Sequence, residues 1–175
     1  IRPASSPQRL ELLDRGPRVS RKAEVLLAHL SDVIGRRELE VLFNRLPWVA
    51  ADAPIVRCDD SAGPGNVALA TLTYRDITEV FVAFGEKSVS AERVAKSLAR
   101  RVRGYEGLDA PVGAHLADQL MLPMALLAGG TYRTTFVSKH TETNLDVINT
   151  FAPGTVSLEE EQPVGGRIDV QPLQP

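Results

Sequence analysis

"HLADQLMLPMALLAGG", residues 115–130, is the densest apolar stretch of the chain and ends on a doubled glycine. From Ala114 to Ala128 it predicts a buried helix that Gly129-Gly130 closes, glycine being the residue that most readily takes the left-handed turn after a helix. Pro123 lies inside it; the ring removes one backbone donor and predicts a bend. His115, Asp118 and Gln119 fall at i, i+3 and i+4, so three polar groups share one face of an apolar element. Buried polar groups without partners are costly, so either an internal hydrogen-bond network or a ligand must satisfy them. By the residues alone the internal network is the simpler reading.

Downstream, "TYRTTFV" reads as a strand, and "SKHTETNLDVINTF" (138–151) leads into an amphipathic helix. Thr143 with Asp146 three residues on makes a capping-box-like start for that helix, with His140 just ahead of it. Free N–H groups at a helix start suit a phosphate, and a neutral imidazole beside them could attack phosphorus. Near its reference pKa of about 6.5 much of a histidine is unprotonated at neutral pH, so no separate base is required. A solvent-facing histidine next to a capped helix fits the same residues. Two more strands, in "TVSLEEE" and "RIDVQP", end the chain, and "LEEEQ" reads as the exposed face and end of the first.

Upstream, "GYEGLDAPVG" has the Gly and Pro of a linker. Before it, residues 17–108 read as strand, helix, three strands, helix. "QRLELLDRG" predicts a short strand that stops at Gly16-Pro17, and "KAEVLLAHL" a buried strand. In "GRRELEVLFNRLP", Leu39, Leu42, Phe43 and Leu46 take the spacing of one helical face, with Pro47 as the stop. "APIVRCDD", "NVALATLTY" and "TEVFVAFGEK" follow as strands around the Gly63-Pro64-Gly65 turn. Ser90 is a plausible N-cap for a helix to Tyr105, with Ala91, Val94, Ala95, Leu98 and Val102 as its buried stripe. On the opposite face Arg93, Lys96, Arg100 and Arg103 form a positive stripe, which could follow an RNA backbone or simply be a solvated face.

At 175 residues the chain is long enough for one ordinary domain or two small ones. Hydrophobic residues at 43% and charged residues at 24% describe a globular protein. A net charge of −2 gives no global pull toward nucleic acid, so any such contact needs a local patch. The single cysteine, Cys58, cannot form an internal disulfide, which fits a reducing compartment, and cytoplasm is the expectation. No stretch has the apolar length of a membrane span, and "IRPASSPQRL" lacks a secretory core; with no initiator methionine, the chain reads as a fragment, a processed product or a chain whose beginning is not given. There is no P-loop, zinc spacing or Rossmann glycine pattern. Trp48 is read as a core or hinge aromatic that could instead stack on a base, His29 as a satisfied interior or edge residue, and Asp59-Asp60 as turn chemistry.

Taken together, "HLADQLMLPMALLAGG" and "KHTETN" (139–144) resemble the C-terminal half of the RNA 3′-terminal phosphate cyclases. In that family a His-Leu-Ala-Asp-Gln helix, sometimes with Tyr first, precedes a His-x-x-Thr-Asn element whose histidine takes up AMP. The likeness extends more weakly through the "GPGN" turn at 63–66 and the 17–108 unit. It implies an α+β fold: part of a large domain of repeated β-α-β-α-β-β units (1–16 and 109–175), with a small four-stranded α+β domain (17–108) inserted. It implies His140 as the nucleophile toward ATP, with His115, Asp118 and Gln119 holding the nucleotide, no metal ligand in this chain, and a divalent metal (Mg or Mn) held from elsewhere. RNA 3′-phosphate ends are the implied partner, along with an N-terminal half, a second chain or a homo-oligomer, with no membrane. The chain departs from the pattern at "RPASSPQ", where the family has a glycine-rich stretch, and at Ala114, where it often has an acid. A non-catalytic, cyclase-like scaffold of RNA binding or ribosome assembly is the alternative; it lacks the histidine that this chain has at 140.

Overall fold

The computed structural model describes residues 6–50, 53–161 and 165–173; the start of the departing "RPASSPQ" stretch and Gln162 lie outside the described residues. In chain order the elements are β1 (Leu10–Leu12), β2 (Arg18–Ala28), α1 (Asp32–Arg45), β3 (Ile55–Arg57), β4 (Gly65–Tyr74), β5 (Thr78–Phe84) and α2 (Ala91–Glu106). There follow α3 (Ala114–Leu126), β6 (Gly130–Thr134), α4 (Lys139–Phe151), β7 (Val156–Glu160) and β8 (Gly166–Val170). They gather into two compact units, one of the described residues up to Gly16 together with those from Leu108 onward, the other of Pro17–Gly107. The fold is mixed α+β.

In the Pro17–Gly107 unit, four strands form a sheet in the order β3-β2-β4-β5, with β2 parallel to β3 and antiparallel to β4, and β4 antiparallel to β5. Burial alternates along β4, where Ala68, Ala70 and Leu72 are fully buried and their neighbours are not, as period-two side chains on a one-sided sheet require. Both helices pack on that buried face and against each other. Each starts on a serine cap: Ser31 Oγ accepts from the Val33 N–H and Ser90 Oγ from the Arg93 N–H. Leu98 and Val102 of α2 are fully buried, each contributing about 1.5–3 kcal/mol.

The buried stripe of α1 differs from the one its leucines predict. Leu39, Leu42 and Leu46 are buried, but Phe43 is half exposed and the inward position goes to Glu38, which has no exposed surface. The helix meets the sheet at Gly35, where an added Cβ would sit 3.1 Å from Ile55 Cδ1 and 3.2 Å from Leu27 Cδ1. That close approach turns the face carrying 35, 38 and 42 inward and rolls Phe43 out.

The other unit follows the chain order β1-α3-β6-α4-β7-β8, one β-α-β-α-β-β unit, with residues 17–107 entering between β1 and α3. Its sheet order is β1-β6-β8-β7: β1 and β6 are parallel and the remaining pairs antiparallel. Gly129 (φ +67) and Gly130 (φ +155) make the turn into β6. A Cβ on Gly130 would lie 2.1 Å from the Leu10 carbonyl oxygen, so only glycine lets β1 and β6 meet there. Tyr132 at the centre of β6 is fully buried and donates its O–H to the Ala117 carbonyl of α3.

Helix α3 runs on through Pro123 and is buried on one side only. Ala117, Met121, Met124 and Ala125 face inward, whereas Leu122 and Leu126, with Leu127 just past the helix end, are exposed. The helix predicted to be buried thus has an apolar face left in the open; among the described residues its main contacts are with α4, β6 and β8. On α4, Val147 and Phe151 are exposed as well. No helix among the described residues is long and apolar enough to cross a membrane.

Candidate active site

The helix carrying His140 begins earlier than its Thr143-Asp146 pair predicts. Ser138 is the N-cap: its Oγ accepts from the Thr141 N–H at 3.1 Å and lies 3.0 Å from Thr141 Oγ1. Nothing in "KHTET" breaks a helix, so the turn propagates back to the first residue that can cap it. Asp146 makes no cap, and its carbonyl accepts from Thr150 Oγ1 instead. His140 is therefore the second residue of the first turn rather than a loop residue ahead of it. Thr141 is fully buried and anchors the turn, while Lys139 and His140 are exposed.

This start of α4 has the composition of an anion site. The N–H groups of Thr141 and Glu142 are used by Ser138, while those of Lys139 and His140 have no partner among the described residues. Free N–H groups at the positive end of a helix, next to a lysine side chain, suit a phosphate. The His140 imidazole is carried on the same turn.

One hydrogen bond joins this turn to α3. Asn144 donates from Nδ2 to the backbone carbonyl of Asp118 at 3.0 Å. Asn144 lies one helical turn after His140 on the same face, where Cβ atoms are about 5–6 Å apart. The bond therefore sets the His140 face of α4 toward the part of α3 that bears Asp118.

On α3, His115 and Gln119 are exposed and Asp118 half-buried. Among the described residues no hydrogen bond engages the three side chains, so the internal network that would satisfy them does not form. Asp118 does act electrostatically: burial first, and then its negative charge, push the Tyr132 hydroxyl well above the ordinary tyrosine range, keeping it protonated as a donor to Ala117. His115, Asp118, Gln119 and His140 are all available to a ligand. The described residues hold no cluster of three or more His, Cys, Asp or Glu that would ligate a metal.

Sequence reasoning did not single out Ser138, and it held Asn144 only as the last residue of the His-x-x-Thr-Asn element, with no role assigned. The remaining candidates lie in the Pro17–Gly107 unit. Trp48 is half-buried under the Arg21 guanidinium, 5.2 Å from its ring centroid, and donates from Nε1 to Glu106 at 3.3 Å. His29 lies just past β2 at φ +50, with Nε2 2.8 Å from the Ser61 carbonyl and its N–H donating to Asp59 at 2.7 Å. That bond, followed by the Arg57 guanidinium, holds the Asp59 carboxyl below its usual range. Cys58 is free and half-buried.

A helix-borne histidine with unpartnered N–H groups beside it thus sits on a β-α-β-α-β-β scaffold. Comparison with known proteins identifies the family. The family model for RNA 3′-terminal phosphate cyclase matches residues 7–158. The chain is 39% identical over 162 residues to an RNA 3′-terminal phosphate cyclase of Koribacter versatilis (strain Ellin345), covering 93% of this chain and 46% of that protein. It is 40% identical over 160 residues to the protein of that name from Salmonella paratyphi C (strain RKS4594), covering 91% and 46%. For the Pseudomonas aeruginosa (strain UCBPP-PA14) protein the figures are 36% over 159 residues, 91% and 47%. The chain belongs to the RNA 3′-terminal phosphate cyclase family, and it spans about half the length of the curated relatives it matches.

Proposed function

We propose that this chain is the portion of an RNA 3′-terminal phosphate cyclase that carries the nucleophile, His140. The observation that carries the reading is the Asn144–Asp118 bond, which sets the first turn of α4 toward the unpartnered polar face of α3. A ring nitrogen of His140 attacks the α-phosphorus of ATP. A P–N bond forms, the bond to the β-phosphate oxygen breaks, and pyrophosphate leaves. An oxygen of the RNA 3′-phosphate then takes the AMP, breaking the P–N bond and freeing the histidine. Finally the neighbouring 2′-hydroxyl gives its proton to water and attacks the 3′-phosphorus; the bond from that phosphorus to the bridging oxygen breaks, giving the 2′,3′-cyclic phosphate and releasing AMP.

In this scheme the N–H groups of Lys139 and His140 offset the charge that gathers on the phosphate oxygens during transfer. His115, Asp118 and Gln119 hold the nucleotide through hydrogen bonds. The described residues hold no cluster of three or more His, Cys, Asp or Glu, so a divalent metal would be held from outside this chain and would offset phosphate charge. The relatives are about twice as long, and we propose that their additional N-terminal portion, or another chain in its place, covers the exposed Leu122, Leu126 and Phe151 and completes the nucleotide site. The site works within a cytoplasmic RNA-processing enzyme, and the 175-residue chain alone turns over poorly.

The test uses ATP labelled at the α-phosphorus, with the chain alone and mixed with the N-terminal half of one of the matched cyclases. Acid-labile, alkali-stable label on this chain, stronger in the mixture and abolished by His140→Ala, is the expected result. Label that survives His140→Ala refutes the assignment, and a mixture no more active than the chain alone refutes the complementation.

A further inference from the structure

The positive stripe of α2 forms one wall of a cleft of about 820 Å³, whose other wall includes Arg45 at the end of α1. Arg45, Arg93, Lys96, Arg100 and Arg103 line it together with Ser97, and no acidic residue does. We propose that this cleft, in the unit that does not bear His140, binds the phosphate backbone of a single RNA strand.

Three observations support the proposal. First, none of the five cations has a hydrogen-bond or ion-pair partner among the described residues, whereas Arg21, Arg37, Arg57 and Arg75 in the same unit are each tied to a carboxylate. In a chain of net charge −2, five unneutralised cations around one cleft are a local concentration rather than an average. Second, the stripe works against the helix that bears it. Arg93 sits in the first turn, at the positive end of the α2 dipole, and the pairs 93–96, 96–100 and 100–103 set like charges at i+3 or i+4, where they repel. Only Arg103, in the last turn, is favoured by the dipole; the rest of the pattern costs the helix, and an anionic ligand would reverse its sign. Third, the spacing fits a regular polyanion. From Arg93 to Arg103 the helix rises about 15 Å, and cations recur along it every three or four residues, so successive phosphates of one strand can each meet a positive charge. The apolar face of α2 is locked against the sheet through Val94, Leu98 and Val102, so the cations are held in place rather than carried on a loose segment.

The choice of RNA over another polyanion rests on the cyclase reading, but binding at the cleft requires neither ATP nor His140. The experiment measures the anisotropy of a 5′-fluorescein 12-nucleotide single-stranded RNA against the 175-residue chain, from 50 to 200 mM KCl. Arg100→Ala/Arg103→Ala is expected to weaken binding at 50 mM and to reduce the log–log salt slope by about 1.4, two phosphates at ~0.7 each. The loss of affinity over that fourfold salt range then shrinks by about sevenfold. Lys96→Glu, reversing the charge of an exposed residue, is expected to weaken binding further. Arg18→Ala/Arg36→Ala, the same change in net charge at exposed positions outside the cleft, should leave the slope as it is. A wild-type slope in the Arg100/Arg103 variant overturns the proposal. So does polyglutamate competing as well as RNA of equal charge, since the cleft would then fit an acidic protein. If RNA binds the cleft while His140 takes no label, the cleft stands and the catalytic reading falls; the opposite pair of results separates them the other way.

Discussion

Glu38 offers the sharpest test of the Pro17–Gly107 unit. Its carboxyl is fully buried in α1 and, among the described residues, receives one hydrogen bond, from Asn66 Nδ2 at 2.6 Å, while Oε2 has no partner. Burial pushes its pKa from the ordinary 4.5 up to about 7, the Asn66 bond opposes the rise, and the nearby Glu92 charge adds to it. The folded protein thus holds a proton that the unfolded chain gives up near 4.5. Stability from this group is fully present below pH 4.5 and is lost as pH rises to about 7. At about 1.36 kcal/mol per pH unit, the loss reaches about 3 kcal/mol. Glu38→Gln keeps the shape and an acceptor for Asn66 but cannot ionise, so its stability should stay level over that window, and above pH 7 it should exceed the wild type. Urea unfolding between pH 4.5 and 8, followed by the fluorescence of Trp48 in the same unit, would read this as a wild-type midpoint lower by on the order of 1 M at the alkaline end. Glu92, which the Arg37 guanidinium holds down to about 2, titrates below the window and does not confuse it. Parallel curves for wild type and Glu38→Gln across pH 4.5–8 would refute the argument.

Tyr132→Phe removes the buried bond to the Ala117 carbonyl and should cost about 1 kcal/mol, read as faster amide exchange in β6 and α3 with the Pro17–Gly107 unit unchanged. Gly130→Ala forces a Cβ against the Leu10 carbonyl at φ +155 and should cost about 1–3 kcal/mol, with exchange protection lost first at Leu10–Leu12. Ser138→Ala removes the cap of α4, costs about 1 kcal/mol, and should reduce His140 labelling. Asn144→Asp sets an acceptor against the Asp118 carbonyl, so it should reduce that labelling more than Asn144→Ala does; equal effects would mean that the Asn144 bond does not position the turn.

Helix spacing and strand alternation made most elements of this chain readable, because burial on one face is written directly into hydropathy. Leu39, Leu42 and Leu46 and the Val94–Val102 stripe are inside as their spacing requires. Hydropathy could not show that Glu38 is inside too: a charged residue reads as surface unless its partner is known, and Asn66 lies 28 residues away past the "GPG" turn. The start of α4 misled for a different reason. Both Ser138 and Thr143 can cap, and the capping-box pattern favoured the second; once the intervening residues can all be helical, the earlier cap wins by adding a turn of hydrogen bonds. The pairing of β1 with β6 was illegible from three residues whose partner lies beyond a whole inserted unit. The same limit applies at the site. The side chain of Asn144 is in the sequence, but its acceptor is a backbone carbonyl, a group that every residue carries, so only the packing of α3 on α4 selects Asp118. A sequence can nominate His140, yet the orientation that would make it a nucleophile depends on a contact to an atom with no sequence identity.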